Sequence, residues 1–333
     1  MLMAGFRGLA VEATDTVAVD ISERHLGGVV LFDYHVPANS PVRNIESPEQ
    51  VGALVASLQS LAPTPLLVAI DQEGGRVSRL KESFGFPPTV SAQYLGEIDD
   101  LSLTFSEAAA TAATLAGLGI NLNLAPVVDL NTNPANPVIG GLERSFSADP
   151  AVVEAHALEV IGAHGEVGAL TALKHFPGHG SSTADSHLGF VDVTDTWTSE
   201  ELLPYQGIIA AGQADMVMTA HVFNEALDPH VPATLSNATI SGLLRGELGY
   251  QGVVISDDMQ MGAITEHYGF ETAVEAAILA GVDILVFANN SVYEEDAIAR
   301  AISFILDLVG SGRVSEARID ESYERIITLK RSL

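Results

Sequence analysis

The chain has 333 residues and 34.9 kDa, is 47% hydrophobic, lacks cysteine, and carries 15 Lys+Arg against 43 Asp+Glu for a formal net charge of −28. This is a globular composition, and it excludes disulfides, thiolate metal sites and a cysteine nucleophile. The charge points away from nucleic acid and anionic lipid as partners, because the cations are scattered and no basic patch overrides the repulsion. Three of the cations are lysine (Lys81, Lys174, Lys330), and so large an acidic excess with so little lysine is also the pattern of a protein adapted to concentrated salt.

Along the chain, short apolar runs alternate with segments of helical spacing. The start, MLMAGFRGLAV, has no basic stretch ahead of an unbroken apolar one, and no run reaches the ~18 apolar residues of a membrane span, so a cytoplasmic location is expected. Residues 1–6 and 28–33 read as strands, then 48–61 as a helix, 66–70 (LLVAI) as a strand and 104–118 as a helix. The alternation continues with strand 120–128, helix 151–165, strand 169–174, helix 199–212, strand 215–222, helix 236–247, strand 252–256, helix 271–281 and strand 283–288. Helices at 293–310 and 314–331 end it. Parallel neighbours need crossover connections, which helices provide, so the pattern predicts the α/β class. Eight such strands favour a single (β/α)8 barrel of TIM type as one domain over 1–333. An open doubly wound sheet is disfavoured, since no GxGxxG follows the first strand and the ionisable residues follow several different strands.

In such a barrel, side chains at the carboxyl ends of the strands gather on one face. The ionisable residues there are Asp71 after 66–70, Lys174 and His175 after 169–173, His221 after 215–220, and Asp257 with Asp258 after 252–256. Asp71 opens DQEGGRVSRL, in which two glycines permit close backbone approach and Arg76 and Arg79 offer donors. The richest segment is 174–189, KHFPGHGSSTADSHLG. It is too long for a minimal strand-to-helix connection and holds His175, His179, His187 and Asp185. A metal pair at His175 and His179 would need a helical turn that Pro177 and Gly178 forbid, so no metal is expected. Asp185 and His187 read instead as an acid–base pair, the carboxylate orienting the imidazole. A carboxylate fixed on a barrel strand suits a nucleophile, and of Asp257 and Asp258 alternation lets one face the site directly, without saying which.

These motifs, together with NLAPVVDLN (123–131), ERSFSADP (143–150), TADSH (183–187), MTAH (218–221), PATLS (232–236) and ISDDMQMGA (255–263), resemble the series of family 3 glycoside hydrolases. The resemblance extends in order over nearly the whole chain and is strongest to the single-barrel bacterial β-N-acetylglucosaminidases. It implies a cofactor-free, retaining exo-β-N-acetylglucosaminidase acting on a small N-acetylglucosamine-containing carbohydrate or cell-wall fragment. It implies Asp257 as the nucleophile forming a covalent glycosyl-enzyme and His187, supported by Asp185, as acid/base. Asp71, Arg79, Arg144, Lys174 and His175 would hold the sugar, with Asp258 and Met259 beside the nucleophile and Glu143 structural. Many family members take their proton donor from a second domain; since residues 258–333 alone follow Asp257, the donor is expected within the barrel. The loop 174–190 is expected to be mobile and to close on substrate. A phosphorylase or β-glucosidase on the same scaffold, a metal-dependent barrel hydrolase and a sugar-binding barrel without turnover are the rival readings.

Overall fold

The computed structural model describes residues 1–333. Eight parallel strands close a barrel: β1 (Leu2–Gly5), β2 (Gly28–Leu31), β3 (Leu67–Ile70), β4 (Leu122–Asn123), β5 (Leu170–Phe176), β7 (Met216–Thr219), β9 (Val253–Asp258) and β10 (Ile284–Phe287). The order around the barrel is β1-β10-β9-β7-β5-β4-β3-β2, so β1 pairs with both β2 and β10. All eight expected strands are present. Two further strands of two residues, β6 (Val191–Asp192) and β8 (Val222–Phe223), form a small separate sheet that the sequence pattern did not announce.

Helices cover the outside: α1 (Thr16–Ser22), α2 (Pro48–Leu61), α3 (Ala92–Ile98), α4 (Leu101–Gly117), α5 (Pro150–Gly165), α6 (Leu203–Ala210), α7 (Gly262–Thr265), α8 (Phe270–Ala280), α9 (Ala297–Gly310) and α10 (Glu316–Lys330). The expected helix at 236–247 is present as a π-helix over Ala238–Glu247. Local chemistry sets several of the starts. Ser47, Asp100, Asp149 and Ser315 each accept a backbone N–H in the first turn of α2, α4, α5 and α10, and Pro48 and Pro150 occupy positions whose N–H has no helical partner.

Strand alternation divides the core into two layers. Met3, Val30, Leu67, Ala69, Ala172, Met216, Val253 and Ile255 point inward and fill the barrel, while Leu2, Val29, Val68, Ile70, Val217 and Val254 point outward under the helices. The strands are therefore buried on both faces, which is why they read as continuous apolar runs. Ile326 of α10 belongs to the inner cluster and Lys330 Nζ donates to the Gly27 carbonyl at 2.7 Å, so the last helix closes the floor of the barrel. The carboxyl ends of the strands are left open. There Val30, Phe32, Leu124, Met218, Val286 and Ala288 make the apolar bottom of a cleft of about 290 Å³. No helix is long and apolar enough to cross a membrane.

Candidate active site

The strand ends bring Asp71, Lys174, His175 and Asp257 to this cleft, and loops add Arg76, Arg79, Arg144 and His187. Two of the strands depart from regular register at the residues that matter. Between β5 and β7 the partners step from Leu173↔Val217 to Phe176↔Thr219, and between β9 and β10 from Ile255↔Ile284 to Asp258↔Val286. Each step inserts one extra residue in the longer strand, at Lys174-His175 and at Ser256-Asp257. A bulge re-aims side chains that alternation would send to opposite faces. Lys174 and His175 thus both line the cleft, and so do Asp257 and Asp258, where alternation alone allowed one of the two.

A charged network forms one wall. Lys174 Nζ donates to Asp71 Oδ1 at 2.7 Å and lies 2.6 Å from Glu73 Oε1. Arg144 grips Glu73 with two bonds of 2.7 Å, and its Nη2 donates to His175 Nε2 at 3.1 Å. His175 Nδ1–H in turn donates to Asp129 Oδ2 at 2.7 Å. Because a carboxylate only accepts, this fixes the His175 tautomer, with Nε2 as acceptor. Burial pushes the Glu73 and Asp71 carboxyls up, but the cations outweigh it: Arg144 and Lys174 hold Glu73 far below the carboxylate range, and Lys174 and Arg79 hold Asp71 below it. Asp71 Oδ2 faces only Arg79, at 3.7 Å, and keeps acceptor capacity for a ligand.

The two adjacent aspartates have opposite environments. At Asp257 burial raises the carboxyl, yet the imidazoles of His221, His175 and His187 and the Asp258 N–H, which donates to its Oδ1 at 2.8 Å, bring it down to about 2. At Asp258 burial dominates; backbone N–H groups of Ala288 and Gln260 bond Oδ1, the Asp257 charge adds to the penalty, and the carboxyl rises to about 6. Asp257 is thus the more readily ionised of the two, and keeps its charge down to lower pH than Asp258 does. His221 stands behind the pair. Its Nε2–H donates to the Asp258 carbonyl at 2.9 Å, Nδ1 lies 2.8 Å from Thr234 Oγ1, a hydroxyl that also donates to the Ala220 carbonyl, and burial lowers its basicity.

The loop after β5 has two parts. Residues 174–182 are buried and pinned: the N–H groups of His175 and His179 reach Asp129, Gly180 N–H reaches Glu201, and Asn136 donates to the carbonyls of His179 and Gly180. The expectation of a mobile 174–190 is corrected for this half, because it is buried and most of its polar groups are paired inside the protein, the Ser181 hydroxyl excepted. Residues 183–190 lie at the surface, and there Asp185 Oδ1 accepts from His187 Nδ1 at 2.7 Å. The His187 side chain is 50% exposed and borders the cleft with Nε2 unpaired. No three His, Asp or Glu side chains are grouped to hold a metal; His175 and His179 are each engaged with other partners.

Met259 departs from expectation. The chain leaves β9 at Asp258, so the strand period no longer governs the next residue, and Met259 drops into the outer core beside Phe270 and Phe287. Met261 lines the cleft instead. Glu143 pairs with Arg76 at 2.9 Å at the cleft rim. Glu73, Asp129 and the orienting bonds of His221 were missed. Signals existed for two of them: Glu73 lies two residues after Asp71 in the same Gly-rich loop, and Asp129 directly follows the apolar run 120–128.

The chain matches the glycosyl hydrolase family 3 N terminal domain over residues 3–329. "Beta-hexosaminidase A" of Pseudoalteromonas piscicida is 36% identical over 338 residues, covering 94% of this chain and 54% of that protein. "Beta-hexosaminidase" of Xylella fastidiosa (strain M23) is 38% identical over 325 residues, covering 94% of this chain and 92% of that protein. Among solved structures, a glycoside hydrolase family 3 β-N-acetylglucosaminidase from Paenibacillus sp. str. FPU-7 superposes with a TM-score of 0.89 at 39% identity, covering 99% of this chain and 61% of that one. The chain therefore spans about half of the P. piscicida protein and under two thirds of the Paenibacillus one. Matched over almost its entire length, it belongs to glycosyl hydrolase family 3.

Proposed function

We propose that the protein is a retaining exo-β-N-acetylglucosaminidase, releasing terminal β-linked N-acetylglucosamine from small carbohydrates. The observation that carries this reading is one cleft bordered by an ionised strand-end carboxylate, Asp257, and by an imidazole, His187, oriented by Asp185. The names of the relatives support the choice of sugar.

In the first step a carboxylate oxygen of Asp257 attacks the anomeric carbon while His187 Nε2–H gives its proton to the departing glycosidic oxygen, leaving a glycosyl ester on Asp257. In the second, Nε2 takes a proton from water as that water attacks the same carbon, and the ester breaks to free Asp257. Asp185 keeps Nδ1–H bonded in both steps, so Nε2 is the nitrogen that exchanges the proton. Asp71 and Lys174 suit the sugar hydroxyls, a carboxylate accepting and an ammonium donating. Arg79, Arg144 and His175 complete that wall.

The test is hydrolysis of p-nitrophenyl β-N-acetylglucosaminide beside the matching β-glucoside, by the protein and by Asp257→Asn. Preference for the acetamido sugar with loss of turnover in the variant is expected. Equal activity of Asp257→Asn and the parent refutes the assignment.

A further inference from the structure

We propose that His179 is a positioning residue for the Asp185–His187 pair, tying the fixed root of its loop to the residue between them. This rests on the reading of His187 as proton donor. His179 is buried, and its ring spans two serines: Nδ1 lies 2.7 Å from Ser182 Oγ and Nε2 lies 3.1 Å from Ser186 Oγ. Ser182 belongs to the rigid root. Its Oγ accepts from Asn136 Nδ2 at 3.0 Å, and its carbonyl accepts from Asn133 Nδ2 at 2.8 Å. Ser186 stands between the two members of the pair.

The bonds have a direction. With the Ser182 hydroxyl proton directed to His179 Nδ1 at 2.7 Å, ahead of the Ala184 carbonyl at 3.4 Å, the one ring proton of a neutral His179 sits on Nε2 and is donated to Ser186. That chain needs a neutral imidazole, and burial, with the neighbouring His175 adding to it, keeps His179 at about 4. From the opposite side the carbonyls of Ser186 and His187 accept the N–H groups of Ala263 and Gly262, each at 3.3 Å, on the stretch that leaves β9 just after Asp257. The Asp185–His187 segment is therefore held between the root of its own loop and the chain that carries the nucleophile. Little else anchors it: Leu188 at the tip is 78% exposed, and Asp185 is the one side chain bonded to His187. The side-chain tether on the inner side is His179 to Ser186.

A residue that places a proton donor should matter in proportion to how much the leaving group needs a proton. The full-length protein is assayed on phenyl and 2,4-dinitrophenyl β-N-acetylglucosaminides; phenoxide leaves poorly unprotonated, whereas dinitrophenoxide leaves without help. Ser186→Ala and His179→Leu are expected to lower kcat/KM about 10-fold or more on the phenyl substrate and under about threefold on the dinitrophenyl one. His179→Gln, which keeps a donor on a side chain of similar reach, is expected to restore part of the loss. The control His187→Ala should show the same bias at roughly 10²-fold or more. If His187→Ala shows the bias and Ser186→Ala loses nothing, or loses both substrates equally, the role of His179 is overturned while the proton donor stands. If His187→Ala shows no bias, the assignment of the donor falls, and this inference with it. Should His179→Leu fail to fold, Ser186→Ala, which removes one hydroxyl, decides.

Discussion

Lys174→Met removes the cation that Asp71 and Glu73 share, at a site where its side chain is 2% exposed. Methionine fills similar volume, so the loss is chiefly of charge. Breaking a buried ion pair on one side costs about 3–5 kcal/mol, since the abandoned carboxylate stays in a poorly solvated place. Glu73 retains both bonds from Arg144, whereas Asp71 retains only Arg79 at 3.7 Å. The deficit therefore falls on Asp71 and belongs at the lower end, about 3 kcal/mol. With a urea dependence of roughly 3 kcal/mol/M for a chain of this size, the midpoint should fall by roughly 1 M at pH 7. The sign of its pH dependence follows from linkage. In the parent, Asp71 and Glu73 titrate below their unfolded values, so their contribution is present above about pH 4 and lost as pH falls through the lower folded values. In the variant, burial without the Lys174 ammonium raises Asp71, which then protonates in the folded state at low pH and ceases to be a buried charge. The gap between parent and variant should thus be full at pH 7 and shrink toward pH 4. Urea unfolding followed by ellipticity at both pH values checks this. A midpoint change under roughly 0.3 M at pH 7, or one equal at both pH values, refutes the reasoning.

Four further outcomes follow from other parts of the molecule. Asp258→Asn keeps the oxygen that accepts from Ala288 and Gln260 but removes a carboxyl raised to about 6; because the folded value lies above the unfolded one, the parent loses stability as pH rises from about 4 to 6, and the variant should be about 2–3 kcal/mol more stable at pH 7 with no gain at pH 4. Asp283, fully buried under Arg245, Arg325 and Ser322 at the far end of the barrel, should cost about 3–5 kcal/mol as Asp283→Ala in denaturant unfolding, with kcat/KM of the folded fraction unchanged. A Cβ on Gly180 would lie 1.7 Å from the Leu130 carbonyl oxygen, so Gly180→Ala must shift the root of the Asp185–His187 loop and should lower turnover at least about 10-fold; unchanged turnover would show that this root does not govern the site. With a net charge of −28, self-repulsion should be relieved by salt, and the melting temperature should climb between 0.05 and 1 M KCl; a flat response would show that the acidic surface carries no net penalty.

The barrel was legible because its strands are buried on both faces, which makes runs such as 66–70 and 252–255 free of charged and polar side chains and sets them apart from the helices between. What escaped was short: α1 and α3 have seven residues each, and β6 and β8 two each, too few to show a period. The site divides in the same way. Asp71, Lys174, His175 and Asp257 could be found because a charge ending an apolar strand is conspicuous and the architecture decides where such ends meet. Asp129 follows the run 120–128 in the same way, but its role rests on a partner 46 residues away, His175; the bond between Arg144 and Glu73 joins residues 71 apart. Even at the conspicuous positions, strand ends indicate where a side chain lies and not which way it faces. The period of two allowed one of Asp257 and Asp258 to face the cleft, and the resemblance put Met259 beside the nucleophile; the extra residue in β9 and the exit of the chain at Asp258 overturned both, bringing Asp258 to the cleft wall and burying Met259. A bulge is a property of two paired strands, and a pattern read along one strand at a time does not contain it.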